Sequence, residues 1–423
     1  MIIRNGYIID PANKVKGIGD IYTQNGRITK VVIGETKGIE PKMGDEVIDA
    51  SGLTVCPGFI DVHSHFRDPG FEYKEDIYSG AETAAAGGYT TVVLMCNTKP
   101  VVDNPDTLDY VLAKGKETNI KVESCSAVTY GLKGEQLTDF DAMRQHGAIG
   151  FTDDGIPLMD SAILREAFRR AKDMPISLHE EDKSFIKQNG INHGEASEFF
   201  GIYGSPREAE ISLIERDVQI AIEENGLLNV QHISTREGVD IVRKAKTREG
   251  NRIHAEATPQ HIALTEKALI AKGTLAKLNP PFRTEDDRQA IIEGLKDGTI
   301  DIIATDHAPH SKEEKAKGIT EAPSGMIGLE TAFALSYTKL CKEEGMDLSD
   351  VISKITCNPA ALYGLDRGTL SEGSPADITI VDTNEEWIVG EMKSKACNTP
   401  FTGEKLTGKV KITICDGKVV YKD

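Results

Sequence analysis

Paired cysteines are absent from this sequence. Its seven cysteines (Cys56, Cys96, Cys125, Cys341, Cys357, Cys397, Cys415) are scattered, odd in number and never spaced C-x-x-C. That excludes a disulfide scaffold and a thiolate zinc site, and it predicts reduced thiols in a cytoplasmic enzyme. Excess positive charge is missing too: 49 Lys and Arg face 67 Asp and Glu, for a net charge of −18. Nucleic acid and anionic membranes are excluded as main partners, because phosphate binding needs a basic surface. A local cationic pocket for a small anion stays compatible with that balance. No apolar run approaches the roughly 18–20 residues that span a bilayer. The start, Met1-Ile2-Ile3-Arg4-Asn5-Gly6, has neither the apolar core nor the cleavage site of a signal peptide.

What is present is an ordinary globular composition: 423 residues, 39% hydrophobic and 27% charged. At roughly 100–200 residues per domain, that length holds two to four domains, or one large barrel with a satellite. Both ends read as short strands. Ile2–Ile9 is apolar around Asn5-Gly6, Ile18–Ile33 is interrupted by Asn25-Gly26, Asp377–Val381 is a strand, and Val410–Tyr421 is broken by Asp416-Gly417. Asn-Gly and Asp-Gly signal two-residue hairpins. A small β-sandwich unit built from both termini, residues 1–54 and 366–423, is expected to flank a central domain of residues 55–365.

The central region repeats one phrase: a short apolar run, a polar residue at its end, a loop, then a helical stretch. The runs are Leu53–Val62, Thr90–Asn97, Lys121–Thr129, Ala148–Thr152, Pro175–His179, Leu228–His232, Arg252–Ala257 and Asp301–Thr305. Helical patterns cover Asp76–Gly87, Asp160–Lys172, Pro206–Asn225 and Thr284–Leu295, with a last helix over Gly328–Glu344. Strands alternating with helices predict a parallel sheet, since parallel strands need crossovers. The count is that of an α/β fold, a (β/α)8 TIM-like barrel.

Barrel active sites lie at the C-terminal ends of the strands. Run one ends in Asp61-Val62-His63-Ser64-His65-Phe66-Arg67, run two in Asn97, and run four in Asp153-Asp154. Run five ends in His179, run six in His232, and run eight in Asp306-His307-Ala308-Pro309-His310. The chain has only ten histidines, so this placement is hard to assign to chance. His63 and His65 are two apart and point to one face of a strand, a chelating arrangement. Neutral imidazole and carboxylate are the ligands of zinc sites that keep a position open for water. His63, His65, His179, His232, Asp306 and a carboxylate at run four are too many for one tetrahedral zinc. They suit two metals sharing a bridging carboxylate and a bridging hydroxide. Of Asp153 and Asp154 one is expected to bridge, the other to cap the turn before Gly155. His146 and His193 read as structural or solvated, and His307 as structural or as orienting a neighbour. His254 and His261 are unassigned.

Val55–Arg67 (V-C-P-G-F-I-D-V-H-S-H-F-R), followed by Asp68-Pro69-Gly70, resembles the opening motif of the amidohydrolase superfamily, in its cyclic-amidase branch. The motifs C-N-T-K-P at Cys96–Pro100, F-T-D-D-G at Phe151–Gly155 and H-E-E-D at His179–Asp182 resemble the long bacterial (class I) dihydroorotases. So do L-N-P-P-F-R at Leu278–Arg283, A-T-D-H-A-P-H at Ala304–His310 and A-P-S-G-M-I-G-L-E at Ala322–Glu330. The resemblance runs in order along nearly the whole chain. Hydantoinases, dihydropyrimidinases and allantoinases share the H-x-H but typically bridge their metals with a carboxylated lysine at the end of strand four, where this chain has no lysine.

The resemblance implies reversible hydrolysis of L-dihydroorotate to N-carbamoyl-L-aspartate by a zinc-bridged hydroxide, in pyrimidine synthesis, with two Zn2+ per subunit. It favours Asp154 as the bridge, with Asp153 the alternative, and makes Asp306 both ligand and general acid/base. His65, Arg67, Asn97 and His310 are placed at the substrate, the last three holding its exocyclic carboxylate. Asn279 and the Ser324-Gly325 backbone hold the ring. Ser324 replaces the family's usual Phe, which is tolerable if that position offers backbone groups and costly if its ring packs on substrate. The competing readings are a hydantoinase- or allantoinase-like amidase and an inactive scaffold supporting aspartate carbamoyltransferase; the scaffold predicts lost ligands. A homodimer and association with aspartate carbamoyltransferase are the expected partnerships. The polar segment Ser311–Ser324 is expected to be a mobile lid.

Overall fold

The computed structural model describes residues 1–34, 41, 46–249 and 252–423. Strands from both ends of the chain make one eight-stranded sheet. Its order is Lys418–Lys422, Lys405–Cys415, Ile378–Ile388, Thr54–Pro57, Ile2–Asp10, Val15–Gln24 and Arg27–Ile33, with Val47–Asp49 paired to Ile2–Asp10. Ile3, Ile8, Ile21, Val55, Ile378, Ile380 and Ile414 form its core. The Asn25-Gly26 and Asp416-Gly417 hairpins form as expected, each with two consecutive positive φ values (51° and 76°, 47° and 71°). Asn5-Gly6 does not make a turn. Ile2–Asp10 runs straight through it with a bulge between Ile3 and Gly6, and a Cβ on Gly6 would lie 2.4 Å from Val55 Cγ2.

The barrel closes through parallel pairs. Phe59–Ser64 pairs with Tyr89–Leu94, which pairs with Lys121–Ser124. The fourth position is only a pair of bridges through Phe151, to Ser126 and to Ile176. Ile176–Leu178, Leu228–Val230, Ile253–Ala257 and Ile302–Ile303 follow in register, and Ser64 bridges His307 to shut the ring. The expected run Leu53–Val62 is two strands. Thr54–Pro57 belongs to the terminal sheet and Phe59–Ser64 to the barrel, with Gly58 packed against Thr90 at the break. Ile60, Val62, Val93, Ile302, Ala304 and Tyr363 share one buried cluster beneath the strand ends.

The crossover helices start at capping residues the sequence supplies. Asp76, Asp160 and Thr284 each accept a backbone N–H at the head of Ile77–Ala86, Ser161–Ala171 and Glu285–Asp297. The expected last helix is shorter: Ala332–Ser336 runs into a wider π-type turn over Tyr337–Glu343.

Candidate metal centre and substrate site

The residues at the barrel's strand ends converge. His63 is the last residue but one of Phe59–Ser64, His65 is held just past its end by its N–H to His307 O (2.9 Å), and both rings face inward. His63 Nε2 lies 3.4 Å from Asp154 Oδ1 and 3.5 Å from Asp306 Oδ1. His65 Nε2 lies 3.0 Å from Asp306 Oδ1 and 3.4 Å from Asp154 Oδ2. His179 Nδ1 is 3.0 Å from His232 Nε2 and 3.9 Å from Asp154 Oδ1. Asp154 thus touches both halves of the cluster. Asp153 turns away and accepts the N–H groups of Val128 (2.8 Å) and Thr129 (3.0 Å) and the Thr129 hydroxyl.

Three of these strand-end residues adopt left-handed backbone: His232 (φ 30°), Asp306 (φ 46°) and Arg67 (φ 61°). Such conformations cost non-glycine residues on the order of 1–3 kcal/mol each and concentrate at functional sites. The charges are strongly coupled. Burial opposes ionisation of Asp154, yet His63, His65 and His179 hold its pKa well below the usual carboxylate range. Burial works against a proton on His63, but Asp154 and Asp306 raise its pKa well above the usual histidine value. Burial, then His179 and His63, keep His232 neutral.

The expected substrate groups lie around this cluster. Half-buried Arg67 donates from Nε to Pro309 O (3.3 Å). His310 Nε2 meets Ser324 O at 2.9 Å. Asn279 Oδ1 is buried with no hydrogen-bond partner among the described residues. Gly325 has φ 130° and lies against His310, whose Nε2 would be 3.0 Å from an added Cβ. Ser324 packs on Gly190 from the loop after strand five: a Cβ there would reach Ser324 Oγ at 2.4 Å and Asn279 Oδ1 at 3.1 Å. Asn97 lies within the cluster itself. Its Oδ1 meets His65 Nδ1 at 2.9 Å and its Nδ2 donates to Asp154 Oδ2 at 2.9 Å, so its amide holds two members of the cluster together.

The model of the family described as "Amidohydrolase family" matches residues 54–420. The chain belongs to the amidohydrolase family. Among its relatives, the dihydroorotase of Clostridium acetobutylicum is 50% identical over 427 residues, covering 100% of both chains. That of Lactococcus lactis is 48% identical and covers 100% of this chain and 99% of its own. The amidohydrolase is therefore one of the dihydroorotases by descent. Of solved structures, the L-hydantoinase of Arthrobacter aurescens superposes with a TM-score of 0.87 at 25% identity, covering 100% of this chain and 96% of that one. The D-hydantoinase of a Thermus species gives 0.84 at 24%, covering 100% and 95%, and speaks for the fold.

The donor set of this amidohydrolase fits divalent metal. Two donors roughly 2.1 Å from one metal at the tetrahedral angle lie about 3.4 Å apart, close to the His63–Asp154, His65–Asp154 and His63–Asp306 separations. His63, Asp154 and His232 converge as one such group, and His63, His65 and Asp306 as another. His63 Nε2 is buried without a hydrogen-bond partner among the described residues and faces the cluster.

Two carboxylates behind the cluster escaped sequence reading. Glu256 Oε2 lies 3.1 Å from His63 Nδ1, and Glu256 is fixed by Asn229 Nδ2 (2.5 Å). Glu181 Oε2 lies 3.1 Å from His179 Nε2, and its Oε1 accepts from Ser205 Oγ (3.0 Å). Each fixes the ring nitrogen opposite the one in the cluster, and so sets the tautomer. Both had signals: Glu256 is an acidic residue inside a buried strand, and Glu181 is two residues after His179. The unassigned histidines are satisfied elsewhere. His261 bonds Thr258 Oγ1 (2.8 Å) and Pro280 O (3.1 Å), and His254 bonds Asp301 (2.6 Å). His307 Nδ1 accepts from Gly328 N (3.1 Å).

Proposed function

We propose that this dihydroorotase interconverts L-dihydroorotate and N-carbamoyl-L-aspartate, with two zinc ions held by His63, His65, Asp154, His179, His232 and Asp306. The carrying observation is the Arg67 guanidinium beside the cluster. Its one hydrogen bond among the described residues is to Pro309 O, and burial lowers its pKa against the pull of Asp306 and Asp154. An exocyclic carboxylate is the substrate feature that needs such a group, and a guanidinium can bind it bidentately. Dihydroorotate has that carboxylate; allantoin and dihydrouracil do not.

Bound divalent metal supplies Lewis acidity at the ring amide carbonyl and acidifies water near neutral pH. The chain's own groups do the rest. Arg67, Asn97 and His310 fix the carboxylate, and Asn279 with the Ser324-Gly325 backbone fixes the ring. Asp306 handles the proton. Burial resists its charge, but His63, His65 and His232 hold its pKa below the usual carboxylate range, so it is ionised and ready to accept. It takes the proton of the attacking water at a carboxylate oxygen. It returns that proton to the amide nitrogen as the C–N bond breaks, leaving a carboxylate and a ureido group. Ring closure reverses each transfer. Seven free cysteines support a reducing, cytoplasmic setting. Among the described residues, no helix is long and apolar enough to cross a membrane.

The test is a substrate panel. Zinc-loaded enzyme is expected to turn over dihydroorotate in preference to hydantoin, dihydrouracil and allantoin. Turnover of those neutral rings with none of dihydroorotate would overturn the reading.

A further inference from the structure

The connector between strands Ile378–Ile388 and Lys405–Cys415 leaves the terminal sheet and lies along the barrel. Ser394 Oγ donates to Glu75, and the N–H groups of Lys393 and Ser394 reach Glu330 Oε1 at 2.8 and 3.3 Å. A few residues on, Asn398 enters the substrate side of the site. It is 2% exposed, and its side chain makes three hydrogen bonds. Oδ1 accepts the His310 backbone N–H at 3.1 Å across 88 residues of chain. Nδ2 donates to Ala308 O and to Gly325 O, both at 3.0 Å. Partners of one N–H and two carbonyls fix which end of the amide is which. Its own carbonyl accepts from Ile327 N at 3.1 Å.

These bonds join two separate pieces of backbone, Ala308–His310 and Gly325–Ile327. The first carries the ring assigned to the substrate carboxylate, and the second carries the glycine assigned to the substrate ring. We propose that Asn398 is a positioning residue that sets the spacing between His310 and Gly325, and so the fit of the carboxylate-bearing ring. Its amide is matched to both pieces at once, with every donor and acceptor used. No hydrophobic residue of similar size can replace it without leaving the His310 N–H and Ala308 O unpaired in a buried place, and Gly325 O with Lys315 Nζ as its remaining donor. This inference rests on the dihydroorotase reading for the roles of His310 and Gly325.

Asn398→Ala, zinc-loaded, is expected to raise KM for dihydroorotate roughly tenfold or more, with kcat changed far less and bound metal equal to wild type. In a His310→Ala background the same substitution is expected to add little, because the two act as one unit. Asn398→Asp keeps an acceptor for His310 N–H and loses both donated bonds, so its KM is expected to rise too; it serves if the alanine variant fails to fold. A wild-type KM in either folded variant would overturn the inference, as would a full further KM increase in the His310→Ala background. Failure of the wild-type enzyme to act on dihydroorotate would instead strike the function reading, so the two failures are distinct.

Discussion

On the proposed reading, substrate choice turns on Arg67 and His310. Arg67→Met removes a cation and no metal donor. Losing one side of a charge-assisted pair costs about 2–5 kcal/mol, roughly thirtyfold to several-thousandfold in kcat/KM. Bound metal is expected to stay at the wild-type level, and normal kcat/KM for dihydroorotate would contradict the role. His310 is held neutral: burial first, then the charges of Arg67, Lys74 and Lys315, push its pKa down to about 3 from 6.5. The unfolded chain therefore takes up this proton first as pH falls. The stability tied to His310 is present above pH 6.5 and lost as pH drops toward 3. An NMR titration of the ring is expected to be flat between about pH 8 and 5; a midpoint near 6.5 would contradict it. Glu256→Gln should mainly weaken metal binding, by about 10–100-fold, as removal of a histidine's orienting carboxylate does. Equilibrium metal titration reads that directly, and an unchanged affinity would remove Glu256 from the site. At this scale the ligand-type residues were legible because strand ends in a barrel share one destination. Asp153 and Asp154 were not separable, since only hydrogen bonds to Val128 and Thr129 show which one turns away.

Among the elements, the segment after strand eight departs most from its composition. Its polarity suggests a loose lid, but Ser311 caps a short helix, Lys312–Lys315. Lys315 is buried, and its Nζ donates to Pro323 O (2.9 Å), Gly325 O (3.0 Å) and Lys277 O (3.3 Å). A lysine that reads as solvent-facing is thus the internal tie of the segment. Lys315→Ala leaves Pro323 O without its donor, at about 1–3 kcal/mol, and leaves Gly325 O and Lys277 O with one donor each, Asn398 Nδ2 and the Gly325 N–H. Amide exchange across residues 311–325 is expected to quicken while the barrel strands keep wild-type rates. Unchanged exchange would show that the tie does not hold the segment. The misread strands have the same kind of cause. Leu53–Val62 is one apolar run in sequence, and only its strand partners, with Gly58 set against Thr90 at the break, show where it leaves one sheet for another. Asn5-Gly6 has the composition of a turn, but pairing on either side of it with Val15–Gln24 confines the left-handed Asn5 (φ 60°) to a bulge within one strand.

For the whole molecule, the alternation of runs and helices made the barrel legible, and the hairpin turns made the terminal sheet legible. What stayed hidden was how the two meet: residues near 390–400 return from the sheet to the barrel, a relation between segments with no local pattern. The proposed metal donors come from five of the eight strand ends, including the pair that closes the ring, so they converge only when the barrel is shut. The cluster of histidines and aspartates is proposed as a two-metal centre for opening dihydroorotate. The most direct test removes metal with a chelator and titrates zinc back while bound metal and dihydroorotate turnover are both followed. The prediction is no turnover without metal and recovery that saturates near two equivalents per chain. Turnover of dihydroorotate by the metal-free enzyme, or full activity at a single equivalent, would contradict it.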